Sequence, residues 1–470
     1  VPSKLLGLRT VAGRVRALAA LVLAALAVLL TVTLVGIGDA REGLRALGHR
    51  EGPMVVATSD MYLALSDMDA QVTNVLLTGG EDGWLCDPEQ GCERSGERYA
   101  YDIRREDAQR AALQAALLAR DDPERLQTVQ SVLDGLYAYD QNVQAAMESG
   151  RRGDGPAGAL PPEGIRRYRA ATDLMTRNLL PKAYNLTLDG AADVDTAYRD
   201  EHSAVRAGWF RVLGAGIALL AALASLQVYL ARRFRRLLNL PLAAALAGAL
   251  VLTVAGASLL ATEADHMRVA KAAGFDPTLT LTRARAIGKG LDTDRARQLL
   301  DPAQADRYDQ MYLEKSQSIL YIKGATSLAA YYRELDQRVA RATQDGGNAD
   351  FGGFYGIRAR LADDAGALLT DYRRYQDHDR SVRDLAEGGD RPAAVRAHLD
   401  PRWAPLPHPA FRAHDQELDA RISHHDFLRA RSVADGDRAL GPWTWLPPVA
   451  ALAIAALVVA GVWPRLAEYR

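Results

Sequence analysis

Few residues in this chain are of types and spacings that could do chemistry. Cys86 and Cys92 enclose Asp87-Pro88-Glu89-Gln90-Gly91, a turn-rich stretch that can bring two thiols together. In an oxidising compartment such a pair forms a disulfide, and closing so short a loop contributes roughly 2 kcal/mol. A redox pair would need the tighter C-x-x-C spacing, and a metal pair would need more than the 2 Cys present. His414, His424 and His425, with Asp415 and Asp426 beside them, invite a metal reading. Adjacent histidines on a helix point about 100° apart, which favours surface or bundle-lining roles over one shared ion. Gly288-Lys289-Gly290 lacks the flanks of a phosphate-binding loop, and no H-E-x-x-H occurs. Asn185-Leu186-Thr187 matches a glycosylation sequon of a length that arises often by chance. No catalytic, metal or cofactor-binding residue is assigned, no cofactor is expected, and enzymatic activity is the least favoured reading.

The most informative polar residues lie between Thr58 and Leu77. Asp60, Asp67 and Asn74 recur every seven residues, beside an apolar row of Met61, Met68 and Val75. Asp69 adds a further acid to the same stretch. The stripe is either a solvated helix flank or, with Asp69, a hydrogen-bond network or partner-docking face. Polar residues beside an apolar row let a bundle choose between two packings.

These residues need elements to hold them, and the hydropathy pattern supplies the frame. The chain has 470 residues, 49% hydrophobic and 24% charged, with a formal net charge of −1. That balance disfavours a nucleic-acid binder. Four windows carry almost no charge: 15–36, 209–230, 240–262 and 443–463. The first is long enough for a helix of roughly 33 Å, about the hydrocarbon thickness of a bilayer. An anchor is favoured there over a cleaved signal peptide, whose apolar core should be shorter and end in a small-residue site. No ionisable residue sits near the centre of any span, which argues against an ion-coupled transporter. Trp443, Trp445 and Trp463 flank the fourth as an interfacial belt.

Short basic segments resist translocation. Residues 1–14, the linker 231–239 with Arg232, Arg233, Arg235 and Arg236, and the tail 464–470 are therefore expected in the cytoplasm. Residues 37–207 and 263–442 are then extracytoplasmic. The first holds 29 acidic and 19 basic residues, the second 28 and 27, so the two are not expected to share one partner surface. The predicted fold class is an all-α membrane protein, with four transmembrane helices and two extracytoplasmic helical-bundle domains. Helices are expected over about 54–78, 99–119, 123–149 and 163–206, the last interrupted at Pro181. In the second segment they are expected over about 263–291, 302–318, 325–344 and 354–387, and from Pro409 onward. The first and last helix of each bundle should run on into the membrane.

At Asp60-Met61-Tyr62-Leu63-Ala64-Leu65-Ser66-Asp67-Met68-Asp69-Ala70-Gln71, followed by Asn74-Val75-Leu76-Leu77, the sequence resembles the actinobacterial GlnX family of membrane proteins. The layout of four spans and two ectodomains is similar over the whole chain. The resemblance implies a relay between a GlnH-like solute-binding lipoprotein outside and a PknG-like soluble serine/threonine kinase inside. It implies amino-acid sensing and regulation of nitrogen metabolism.

The expected function is accordingly a membrane sensor whose output is borrowed from a cytoplasmic partner. The four linker arginines would meet that partner or anionic lipid of the bilayer. A homo-oligomer is compatible with this frame. Two alternatives stand beside it: a non-switching envelope scaffold, and a chemoreceptor-like sensor that binds a small molecule directly.

Overall fold

The computed structural model describes residues 11–78, 85–87, 91–93, 97–152, 159–234, 239–344, 352–355, 365–399 and 407–467. They form helices α1 (Val11–Arg45), α2 (Glu51–Thr78), α3 (Glu97–Leu118), α4 (Pro123–Arg151), α5 (Pro162–Leu174), α6 (Leu180–Phe234), α7 (Leu240–Val269) and α8 (Asp276–Leu300). There follow α9 (Ala305–Ile319), α10 (Leu328–Gln344), α11 (Ala365–Glu387), α12 (Arg391–His398), α13 (Pro409–Leu440) and α14 (Leu446–Ala467). One short hairpin pairs β1 (Leu85–Asp87) with β2 (Gly91–Glu93), and its register sets Cys86 opposite Cys92. The side chains of both cysteines, and so the expected disulfide, lie outside the described residues.

Three π-helical turns join α1 to α2 (Ala46–Arg50), α5 to α6 (Met175–Leu179) and α7 to α8 (Ala270–Phe275). The expected interruption at Pro181 is one of them. Proline has no N–H to offer the preceding turn, and its ring crowds the carbonyl four residues back. A single widened turn absorbs that conflict without ending the helix. The expectation that α13 runs unbroken into the fourth span fails: Pro442–Thr444 forms a 3-10 turn, and α14 begins at Leu446. Pro442, Pro447 and Pro448 together remove three helical donors. Arg41 closes the broken end of α13, its Nη2 donating to the carbonyl of Leu440 (3.0 Å) and to Oγ1 of Thr444 (2.7 Å).

The chain divides into two compact units. One comprises residues 1–51, 193–274 and 428–470, and holds the four apolar runs. All four are long and apolar enough to cross a membrane. Inside this unit Leu29, Val212, Ala249 and Ile454 are buried, while Val28, Ile217, Val251 and Leu452 are exposed. An outward apolar belt of this kind is stable against lipid and costly against water. Small residues set the packing distance: a Cβ on Gly208 would lie 3.5 Å from Cα of Gly36. Such close backbone approach is how membrane helices gain dispersion contacts.

The other unit comprises residues 52–192 and 275–427. The two segments expected as separate bundles therefore fold as one body. Its larger core holds Met61, Leu65, Met68 and Val72 of α2, Val132 and Tyr139 of α4, and Ala296, Leu299 and Leu300 of α8. The α2 residues follow the three–four spacing of a buried helix face. A second core lies within the later segment, where Tyr312, Tyr331, Tyr332, Tyr355, Tyr372 and Tyr375 pack among leucines. Helix α4 starts where the sequence places Asp122 before Pro123, the carboxylate accepting from the backbone N–H of Glu124 and Arg125, both at 3.1 Å. Helix α12 is additional to the predicted set, and Asp390 caps it through the N–H of Ala393.

Leu65→Ala should lower stability by about 2–5 kcal/mol, because the residue is fully enclosed and leaves a cavity. Leu117→Ala, at an exposed position of α3, should change it little. Thermal unfolding of the detergent-solubilised protein, followed by circular dichroism, compares the two.

Candidate functional site

The second half of α8 is the unusual element. Leu291–Leu300 reads LDTDRARQLL, and all ten residues are buried although four carry charge. Isolated charges cannot be placed there, because desolvating an unpaired ion costs several kcal/mol. Asp294, Arg295 and Arg297 are therefore matched by opposite charge and Asp292 by a hydrogen bond, with Asp69 and Asn74 of the earlier segment among the partners.

Arg297, 1% exposed, donates from Nη2 to Oδ2 of Asp69 at 2.5 Å and from Nη1 to Oδ1 of Asp294 at 2.9 Å. The hydroxyl of Tyr139 donates to the other oxygen of Asp69 at 3.0 Å. Lys315 of α9 donates to Asp294 at 2.5 Å. Burial works against the charge on Arg297, yet Asp69, Tyr168 and Asp294 hold its pKa well above the usual value. Arg295 makes a forked pair with Asp379 of α11, at 2.7 and 2.8 Å, under the ring of Tyr312. Tyr332 donates a third hydrogen bond to Asp379 at 2.6 Å. Despite burial, Arg295 and these hydroxyls hold Asp379 below the usual carboxylate range.

One turn earlier, Lys289 lies 3.1 Å from both Asp67 of α2 and Asp415 of α13. Arg285 forks onto Asp415 at 2.9 Å through two nitrogens. Burial raises the Asp415 carboxyl, but Arg285 and Lys289 outweigh it and bring the group to about 2. Between these pairs, Nδ2 of Asn74 donates to Asp292 at 3.4 Å, and Nε2 of His398 lies 3.3 Å from the Asn74 carbonyl oxygen. Burial lowers His398 to about 4 and raises Asp292 to about 7. At the flank, Arg169 of α5 forks onto Asp301 at 2.7 and 2.8 Å.

The arrangement is a charge zipper between the two segments. The polar stripe on α2 supplies one side of it. Asp67, Asp69 and Asn74 all turn toward α8, and Asp69 and Asn74 are buried. Committed in this way, they present little to an outside partner. Asp60 differs: it is exposed and carries no ion pair among the described residues. Arg232 lies near the end of α6, the side chain of Arg233 is not described, and Arg235 and Arg236 lie outside the described residues.

The three histidines of the metal reading also separate. His414 is buried beneath Tyr372 and Tyr375, with Nε2 2.9 Å from the Tyr355 hydroxyl. The rings of His424 and His425 meet edge to face at 5.6 Å. Among the described residues no three His, Cys, Asp or Glu side chains are grouped to hold a metal ion.

The partner side of the zipper was missed by sequence reasoning. Asp292-Thr293-Asp294-Arg295-Ala296-Arg297 has the alternating charge of a solvated helix, and the predicted helix stopped at Leu291. The available signal was the unbroken apolar bracketing by Leu291 and by Leu299-Leu300, which places the charges inside a buried run.

Residues 43–199 match the Actinobacterial sensor domain. That interval runs from the end of α1 into α6 and contains the α2 side of the zipper. The match supports a sensor role in an actinobacterial family. No curated protein and no solved structure matches the chain.

Removing one member of a buried pair strands the other. Asp69→Asn should therefore cost about 3–5 kcal/mol, whereas Asp121→Asn at an exposed surface pair should be nearly silent. Thermal unfolding in micelles distinguishes them. A second expectation concerns pH. Burial lowers His414 to about 4, so the folded state refuses a proton that the unfolded chain accepts below about 6.5. Its contribution is complete above pH 6.5 and is lost as pH falls to about 4. Asp292 acts with the opposite sign, so the comparison must be differential. Relative to the wild type, His414→Gln should gain up to about 3 kcal/mol between pH 6.5 and 4.

Proposed function

We propose that the protein is a membrane sensor that relays an extracytoplasmic amino-acid signal to a soluble serine/threonine kinase. In this reading the signal arrives through a solute-binding lipoprotein of the GlnH type, and the kinase is of the PknG type. Both termini and the arginine linker 231–239 face the cytoplasm, and the unit of residues 52–192 and 275–427 lies outside. The observation that carries the sensor reading is the match of residues 43–199 to a sensor domain. The amino acid and both partners rest on the resemblance of the α2 sequence to the GlnX family.

The zipper gives the reading a physical element that could switch. Its members are buried ions, and such a network tolerates a small number of fully paired arrangements rather than a continuum. A binding protein that favours one arrangement shifts the population only by its difference in affinity for the two. Helices α2 and α8 follow the apolar runs of α1 and α7 directly in the chain, each through a single π-turn.

Capture of partners by the full-length protein in mild detergent, with and without glutamate, tests the relay. A solute-binding lipoprotein recovered in an amino-acid-dependent manner is the expected result. A partner list that is unchanged by glutamate would favour a non-switching scaffold instead.

A further inference from the structure

Enclosed guanidinium groups of the second unit are answered by carboxylates at Arg285, Arg295 and Arg297. Arg283 on α8 is not. Among the described residues no carboxylate lies within ion-pair distance of it. Its guanidinium carbon stands 4.6 Å from the ring centroid of Tyr184 on α6 and 5.2 Å from that of Phe354. Nη2 donates to the Tyr184 hydroxyl, and Nε is enclosed with no acceptor. Tyr62 of α2 extends the aromatic wall, its ring 5.5 Å from that of Tyr184.

The backbone is arranged to hold this wall. Gly353 adopts a φ of +77°, and a Cβ there would meet the carbonyl oxygens of Ser318 and Ile319 at 2.7 and 2.8 Å. Only glycine makes that turn without strain, and the turn delivers Phe354. All four side chains are half-buried, so the group is shielded yet reachable from solvent.

We propose that Arg283, walled by Tyr62, Tyr184 and Phe354, is a binding site for a small carboxylate anion. The charge is present, no carboxylate among the described residues answers it, and the guanidinium is held by two aromatic rings, leaving its outer edge for a ligand. A planar carboxylate matches that fork with two parallel hydrogen bonds. A single guanidinium between apolar walls suits a monovalent carboxylate with some carbon skeleton better than phosphate or sulfate, which gather several cationic donors. Because the site draws on α2, α6 and α8, occupancy bears on the packing of both segments. It requires no lipoprotein and no kinase, and so stands apart from the relay.

The test is thermal unfolding of the purified full-length protein in micelles, titrated with sodium acetate, butyrate or L-aspartate against matched sodium chloride. A saturable rise in Tm with at least one carboxylate is expected. Arg283→Gln should abolish the rise, and Arg283→Lys should weaken half-saturation at least tenfold, because an ammonium lacks the fork. Phe354→Leu keeps the charge and should weaken it several-fold. Circular dichroism establishes that each variant is folded before its titration is read. No saturable rise with any of the three salts, or an equal rise in Arg283→Gln, would overturn the site. Either outcome leaves the partner-capture result to be judged on its own.

Discussion

Two arginines buried in one helical stretch set the terms for the rest of the second unit. Arg295 and Arg297 carry their charge into a region without solvent, and every neighbouring element is shaped by the need to answer them. Asp69 comes from α2, Asp294 from α8 itself, and Asp379 from α11. Tyrosine hydroxyls complete the carboxylate valences that the arginines leave open. An apolar core of the same volume would often be as stable or more so. What the ions add is selectivity, since few alternative packings pair all of them at once.

This explains why the two segments fold as one body although spans separate them in the chain. Charge composition alone suggested the reverse, an acidic first segment and a near-neutral second one with different partners. The surplus acid of the first segment is partly consumed internally. Asp67, Asp69 and Asp173 face Lys289, Arg297 and Arg307 of the second.

The features readable in the sequence were those governed by local physics. The four apolar runs, the helix start at Pro123 and the α2 periodicity depend on neighbours within a few residues; the caps at Asp122 and Asp390 are equally local, and neither was read. The break before α14 was equally visible in Pro442, Pro447 and Pro448. The depth of Asp294, Arg295 and Arg297 was signalled only by the flanking Leu291 and Leu299-Leu300, because several of their partners lie far away in sequence and a charged helix reads as solvated until those partners are known. The stripe of Asp67, Asp69 and Asn74 could be located but not aimed. The direction of a helix face is decided by what packs on it.

The pairing of Asp69 with Arg297 joins residues 228 positions apart, which has a consequence for biosynthesis. Chains elongate at about 5–20 residues per second, so α2 exists for roughly 10–50 s before its counter-ion is made. Throughout that interval the first segment displays an uncompensated carboxylate and amide beside an apolar row, a surface suited neither to water nor to lipid. Two of the apolar runs are also made between α2 and α8. The nascent first segment thus waits with that face unpaired until α8 has been made.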